Sequence, residues 1–163
     1  MEFIEPKILI SIKPEWVKKI LSGEKTIEVR KTKPKIGTPF KCYIYQTKEP
    51  VEVTFSGCGR HISEYDKYMW YTEQSGKVVG EFICGCIEPI YVFGDCSIQN
   101  WMMSNAENSC LTYDEVVRYI GKEKNGYCWH ISSLTIYDTP KDLSEFGIKR
   151  APQSWQYVER KSV

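Results

Sequence analysis

Histidine is scarce in this chain, with two copies among 163 residues, and the seven cysteines include no paired C-x-x-C spacing. A knuckle-type zinc centre is therefore not expected, since a zinc reading would have to join Cys58 and His61 to Cys84 and Cys86. The odd cysteine count, scattered through apolar sequence, also argues against a disulfide framework and leaves most thiols as small core residues. Long apolar runs are missing as well. No stretch approaches the roughly 18 residues that span a bilayer, and the opening MEFIEPKILISIKPEW carries acidic residues where a signal peptide would be basic. The expectation is a cytoplasmic protein with no membrane partner, no resident metal and no cofactor.

An excess of one charge is absent too. Lys and Arg total 22 against 21 Asp and Glu, a difference of +1 that excludes a uniformly basic, histone-like binder. The average conceals two poles. Residues 13–35 hold eight Lys or Arg against three Glu, a balance of +5, whereas residues 64–115 hold nine acids against two Lys, a balance of −7. Either segment would also serve as an ordinary solvated face.

What is present suits one compact domain over residues 1–163, with 42% hydrophobic residues to fill a core. Ile8–Ile12 reads as a first strand, and Pro14 suits the first position of a helix whose stripe is Trp16, Val17, Ile20 and Leu21. Gly23 is a left-handed stop for it. Lys25–Arg30 alternates with a strand's period of two, Ile27 and Val29 on one face and Thr26, Glu28 and Arg30 on the other. That second face is either a wet sheet surface or one wall of a polar cleft. Further strands are predicted over 40–46, 51–57, 77–88 and 126–137, rich in β-branched and aromatic residues. Helices are predicted over 97–103, capped by Ser97 with Trp101 and Met102 inward, and over 112–120, where Thr112 and Glu115 form a capping box and Gly121 ends the run. The fold class is α+β, a curved sheet closing towards a β-barrel with two or three helices packed at its ends.

The stretch from Ile10 to Arg30, with Gly23, Lys25, Glu28 and Arg30 at fixed spacing, closely resembles the opening of ASCH domains, the activating-signal-cointegrator homology family. The strand Tyr127–Ile131 and the tail Ala151–Trp155 look like those of small phage, prophage and bacterial members. The resemblance implies a PUA-like pseudobarrel, with a cleft where the Lys meets the polar strand residues. It also implies binding of RNA, a nucleotide or a modified nucleoside, and some small members look like amidohydrolases or ribonucleases.

Lys25 would hold a phosphate or carbonyl oxygen there as a point charge, or act as a general base; the plainer alternative is a surface lysine paired with Glu28. Resembling amidohydrolases place a Thr at the position of Glu28, so a covalent hydroxyl mechanism gives way to water activated by a carboxylate. Glu81 alternates with Val79 and Ile83 on an otherwise apolar face, where desolvation would raise its pKa and suit acid or base work. Pairing with a lysine at a sheet edge is the other reading of it. Glu107 is a further partner carboxylate implied by the resemblance. Arg30, Tyr45 and Trp155 are ligand-binding candidates, the two rings for base stacking, although 13% aromatic content must mostly serve the core. His130 reads as structural rather than catalytic. The leading functional expectation is binding of RNA, a nucleotide or a nucleoside. The alternatives are a hydrolase using Lys25 with Glu28, Glu81 or Glu107, and a protein-interaction module docking through residues 64–115.

Overall fold

The computed structural model describes residues 7–48, 74–95, 98–99 and 103–158. Within them the order is β1 (Lys7–Ile12), α1 (Pro14–Leu21), β2 (Ile27–Arg30), β3 (Phe40–Gln46), β4 (Val78–Val92), β5 (Ile98–Gln99), α2 (Met103–Ser109), α3 (Tyr113–Ile120), β6 (Lys124–Lys141), a 3-10 turn (Leu143–Phe146) and β7 (Trp155–Tyr157). The predicted strand over 51–57, the Cys58 and His61 ligands, the acids of 64–73, and Ser97, Trp101 and Met102 lie outside the described residues.

The seven strands form one sheet in the order β2-β6-β4-β3-β1-β7, with the short β5 pairing against β4. The pairing is mixed: β1 runs parallel to β3, and the other ladders are antiparallel. The expected α+β class is present, yet among the described residues strand pairing does not close the barrel, because β2 and β7 remain the two ends of the path. β4 and β6, of 15 and 18 residues, form the longest ladder, and three register shifts along it bend the sheet.

Helix α1 follows its sequence pattern. Val17 and Ile20 are fully buried against Ile10, Ile12 and Ile44, each stabilising the fold by about 1.5–3 kcal/mol. Gly23 takes φ +84°, a conformation that suits a residue without Cβ, and turns the chain out of the helix into β2. The capping box of α3 is formed, Thr112 Oγ1 accepting from Glu115 N and Glu115 Oε2 from Thr112 N. α3 packs so closely on β6 that a Cβ at Gly126 would come within 2.5 Å of Ile120 Cδ1. The helix predicted over 97–103 is displaced: Ile98–Gln99 is strand paired with Tyr91–Val92, and α2 begins at Met103. Two β4 residues offering ladder hydrogen bonds outweigh the local helical periodicity. Among the described residues no helix is long and apolar enough to cross a membrane.

Candidate functional site

The turn at Gly23 delivers Lys25 to the start of β2. Its backbone N–H returns to the carbonyl of Lys19 at 3.0 Å, and Thr26 N donates to Asn108 O at 2.8 Å, which ties the entry to β2 to the end of α2. Lys25 is thereby drawn inside and is 2% exposed. Its ammonium donates to Ser109 O at 2.5 Å and lies 3.4 Å from Glu28 Oε2. Ser109 O is a C-terminal carbonyl of α2 that lacks an intrahelical partner, so a cation there meets both an unfilled acceptor and the negative end of the helix. The Ser109 hydroxyl holds that terminus in place, donating to Ala106 O and accepting from Leu111 N.

The alternation read in β2 places Glu28 and Arg30 together, and both are buried, at 6% and 8% exposure. Arg30 Nε donates to Glu28 Oε1 at 3.0 Å, and Nη2 lies 3.0 Å from the same oxygen. Nη2 also donates to Ser11 O on β1 at 2.7 Å, and Nη1 reaches Ser154 Oγ in the tail at 3.3 Å. The tail is itself latched to β1, Ser11 N donating to Ser154 O and Ser11 Oγ to Pro152 O. The helix-turn-strand segment and the tail, far apart in sequence, therefore meet at Arg30.

Lys25, Glu28 and Arg30 line one cavity of about 500 Å³, together with Trp16, Tyr119 and Thr47. That volume lies within the range of small-ligand sites. The buried floor carries two cations against one carboxylate, a balance of +1. Trp16, from α1, sits beneath two ammonium groups, with Lys25 Nζ 5.2 Å and Lys19 Nζ 5.3 Å from its ring centroid. Burial, the largest influence, holds the Tyr119 phenol above its usual 10, and the Arg30 charge only partly offsets it. Tyr119 is therefore a neutral hydroxyl at neutral pH. Thr47 Oγ1 is shut from solvent with no hydrogen-bond partner among the described residues, an unmet polar atom at the cavity wall.

The other candidates lie elsewhere. Glu81 accepts from Tyr137 OH at 2.7 Å and pairs with Lys41 Nζ at 3.2 Å. Burial alone would raise its pKa, but the Tyr137 hydroxyl and Lys41 outweigh it and hold the carboxyl below 4.5, so the lysine-paired reading describes this residue and the raised value does not. Glu107 is exposed on α2. Tyr45 is 5% exposed and lines a second cavity of about 390 Å³, which shares Ser11 and Thr47 with the first and adds Lys48, Lys149 and Arg150. Trp155 turns its ring onto Trp129, 5.9 Å between centroids, and donates from Nε1 to Thr32 Oγ1 at 2.9 Å. His130 lies 3.3 Å from Glu88. Sequence reasoning does not single out Tyr119 or Thr47, and assigns Trp16 to the apolar stripe of α1, where its position at the stripe's edge was the one available signal.

A curved mixed sheet bridged by side chains around a polar cleft is an α+β architecture compatible with the pseudobarrel that the family resemblance implies. No protein-family model and no curated protein matches the sequence. Among solved structures, the crystal structure of ASCH from Zymomonas mobilis aligns with a TM-score of 0.62 at 18% identity, over 94% of this chain and 88% of that one. Two single-substitution mutants of the same protein align at the same score, over 91% and 89% of their chains. The chain has the fold of an ASCH domain.

Proposed function

We propose that the cleft binds a nucleotide, either free or as the unpaired end of a short RNA. The observation that carries this reading is the Lys25–Glu28–Arg30 cluster, a buried floor of net charge +1 in a cavity edged by Trp16 and Tyr119. An ammonium has three donors and a guanidinium five. Ser109 O and Glu28 take two of the lysine's, and Glu28, Ser11 O and Ser154 Oγ take most of the arginine's. The cleft therefore offers a ligand one remaining donor from each cation. Donors in a fixed array suit a phosphate oxygen or an acceptor on the edge of a nucleobase, while aromatic walls suit its face.

A binding role is favoured over hydrolysis by Lys25 with Glu28, Glu81 or Glu107 because of where those carboxylates lie and what they pair with. Both Glu28 oxygens are engaged by cations, and Glu81 and Glu107 do not line the cavity. The test is titration with the four ribonucleoside monophosphates and with a short single-stranded RNA. Lys25→Met should weaken whichever binds by about tenfold or more, as loss of a charged hydrogen bond does, and Trp16→Ala by a comparable factor. Affinity unchanged in both variants overturns the reading.

A further inference from the structure

Away from the cleft, three side chains with metal-ligating atoms converge on the β4–β6 ladder. The ligating atoms of Cys86, Glu88 and His130 all lie within 4.8 Å of one another. None of the three lines either cavity described above.

A bulge brings them together. Cys84 pairs with Ile131 and Ile87 with Trp129, so two β4 residues, Gly85 and Cys86, stand opposite one β6 residue, His130. An extra residue in one strand re-aims the side chains that follow it. Cys84 is fully buried and Cys86 is exposed, although two residues apart in an ideal strand would share a face. Glu88 then falls on the same side as Cys86. The sequence pattern Cys84-Gly-Cys86 suggests a thiol pair, but the bulge separates the two and gives Cys86 a histidine and a carboxylate instead.

A second observation concerns the histidine ring nitrogen. His130 Nε2 is closed to solvent and makes no hydrogen bond among the described residues; its nearest partner is Glu88 Oε1 at 3.3 Å. The His130 side chain as a whole is 33% exposed, but Nε2 is turned inward towards Glu88 without a well-aligned hydrogen bond, an arrangement that an ion between the two would complete. Asn105 Nδ2, from α2, lies 3.5 Å from Glu88 Oε2 and can orient the carboxylate from outside, as second partners of metal ligands do.

We propose that Cys86, Glu88 and His130 form a three-ligand site for a thiophilic divalent cation such as zinc, with the fourth coordination position open to solvent. One sulfur, one nitrogen and one oxygen is a donor set that suits zinc, whereas magnesium and calcium favour oxygen alone. Ligand bonds of about 2.0–2.3 Å require donors roughly 3.5 Å apart in a tetrahedron, so the three must close by about 1 Å. The Glu88 side chain, 49% exposed, and the exposed Cys86 have room to do so. Three protein ligands and an open position match zinc sites that accept water or substrate rather than closed structural ones.

The full metal-free chain is titrated with Co²⁺ as a spectroscopic probe and then with Zn²⁺. The expected result is one Co²⁺ per chain with a near-ultraviolet sulfur-to-cobalt charge-transfer band, displaced by zinc. Cys86→Ser should remove the band and Cys110→Ser should keep it, while Asn105→Ala should weaken binding by roughly tenfold. Zinc should also slow alkylation of Cys86 in the unsubstituted protein by more than tenfold and leave Cys110 unchanged, a readout independent of whether any variant folds. No charge-transfer band, a band that survives Cys86→Ser, or alkylation of Cys86 indifferent to zinc overturns the site.

Discussion

Arg30 on β2, one end of the strand path, and Ser11 on β1, one strand in from the other end, are joined by a guanidinium-to-carbonyl hydrogen bond of 2.7 Å. Together with the Arg30 contact to Ser154, a side chain thus links the two sides of the sheet among the described residues. The proposed ligand site and stability meet in that residue, because the same guanidinium also balances Glu28 on the floor of the cleft.

That double role separates Arg30 from Lys25. Arg30→Met leaves Glu28 buried with one cation and leaves Ser11 O without its partner; removal of one member of a buried ion pair costs about 3–5 kcal/mol. Lys25→Met leaves Glu28 paired to Arg30 and deprives chiefly Ser109 O, a loss of about 1–3 kcal/mol. Urea unfolding should rank Arg30→Met as the more destabilised variant. A larger loss for Lys25→Met would mean that Arg30 is dispensable to the bridge.

Much of this was legible in the sequence because it is local. The period of two in β2 puts Glu28 and Arg30 on one face, Pro14 and Gly23 bracket α1, and the Thr112–Glu115 box starts α3. What could not be read was whether the polar face of β2 turns outward or inward, since that depends on β1 and the tail arriving from 19 and 124 residues away to supply Ser11 O and Ser154 Oγ. Glu81 shows the opposite failure. Its apolar neighbours in sequence suggest desolvation, but Lys41 and Tyr137 come from other strands and reverse the sign.

For Glu81 the native pKa is depressed, so its ionised form is favoured by folding. The stabilisation is present above the ordinary value of 4.5 and is lost as pH falls through the lower native value. The side chain is 23% exposed and partly screened, which keeps the contribution to about 1 kcal/mol or less. Denaturation midpoints measured between about pH 3 and 6 should fall more steeply for the unsubstituted protein than for Glu81→Gln. Parallel curves would show that the Tyr137 and Lys41 contacts carry no net free energy.

The thiols divide by burial. Burial pushes Cys84 and Cys128 up to about 12 and raises Cys42 well above 9.0, so all three are protonated near neutrality. At pH ~8 a thiol with a pKa of about 12 is ionised in roughly one molecule in ten thousand, and the thiolate is the nucleophile. Iodoacetamide followed by peptide mass mapping, without added metal, should therefore modify Cys86 and Cys110 well before Cys42, Cys84 or Cys128. Early labelling of a buried thiol would reveal local opening of the β3–β4 or β4–β6 ladder.

The salt dependence of binding can decide how far a ligand extends beyond the cleft. For a single strand, the logarithm of affinity falls with the logarithm of salt by about 0.7 per phosphate neutralised. A nucleotide confined to the first cavity brings one phosphate to the buried floor, so a slope near −0.7 is expected. An RNA that continues past Ser11 and Thr47 into the second cavity would add Lys48, Lys149 and Arg150, and the slope would steepen towards about −3. Lys149→Ala should then flatten the slope for RNA by about 0.7 and leave mononucleotide binding unchanged. A steep slope for the mononucleotide itself would place the phosphate contacts on the rim lysines and not on the Lys25–Arg30 floor.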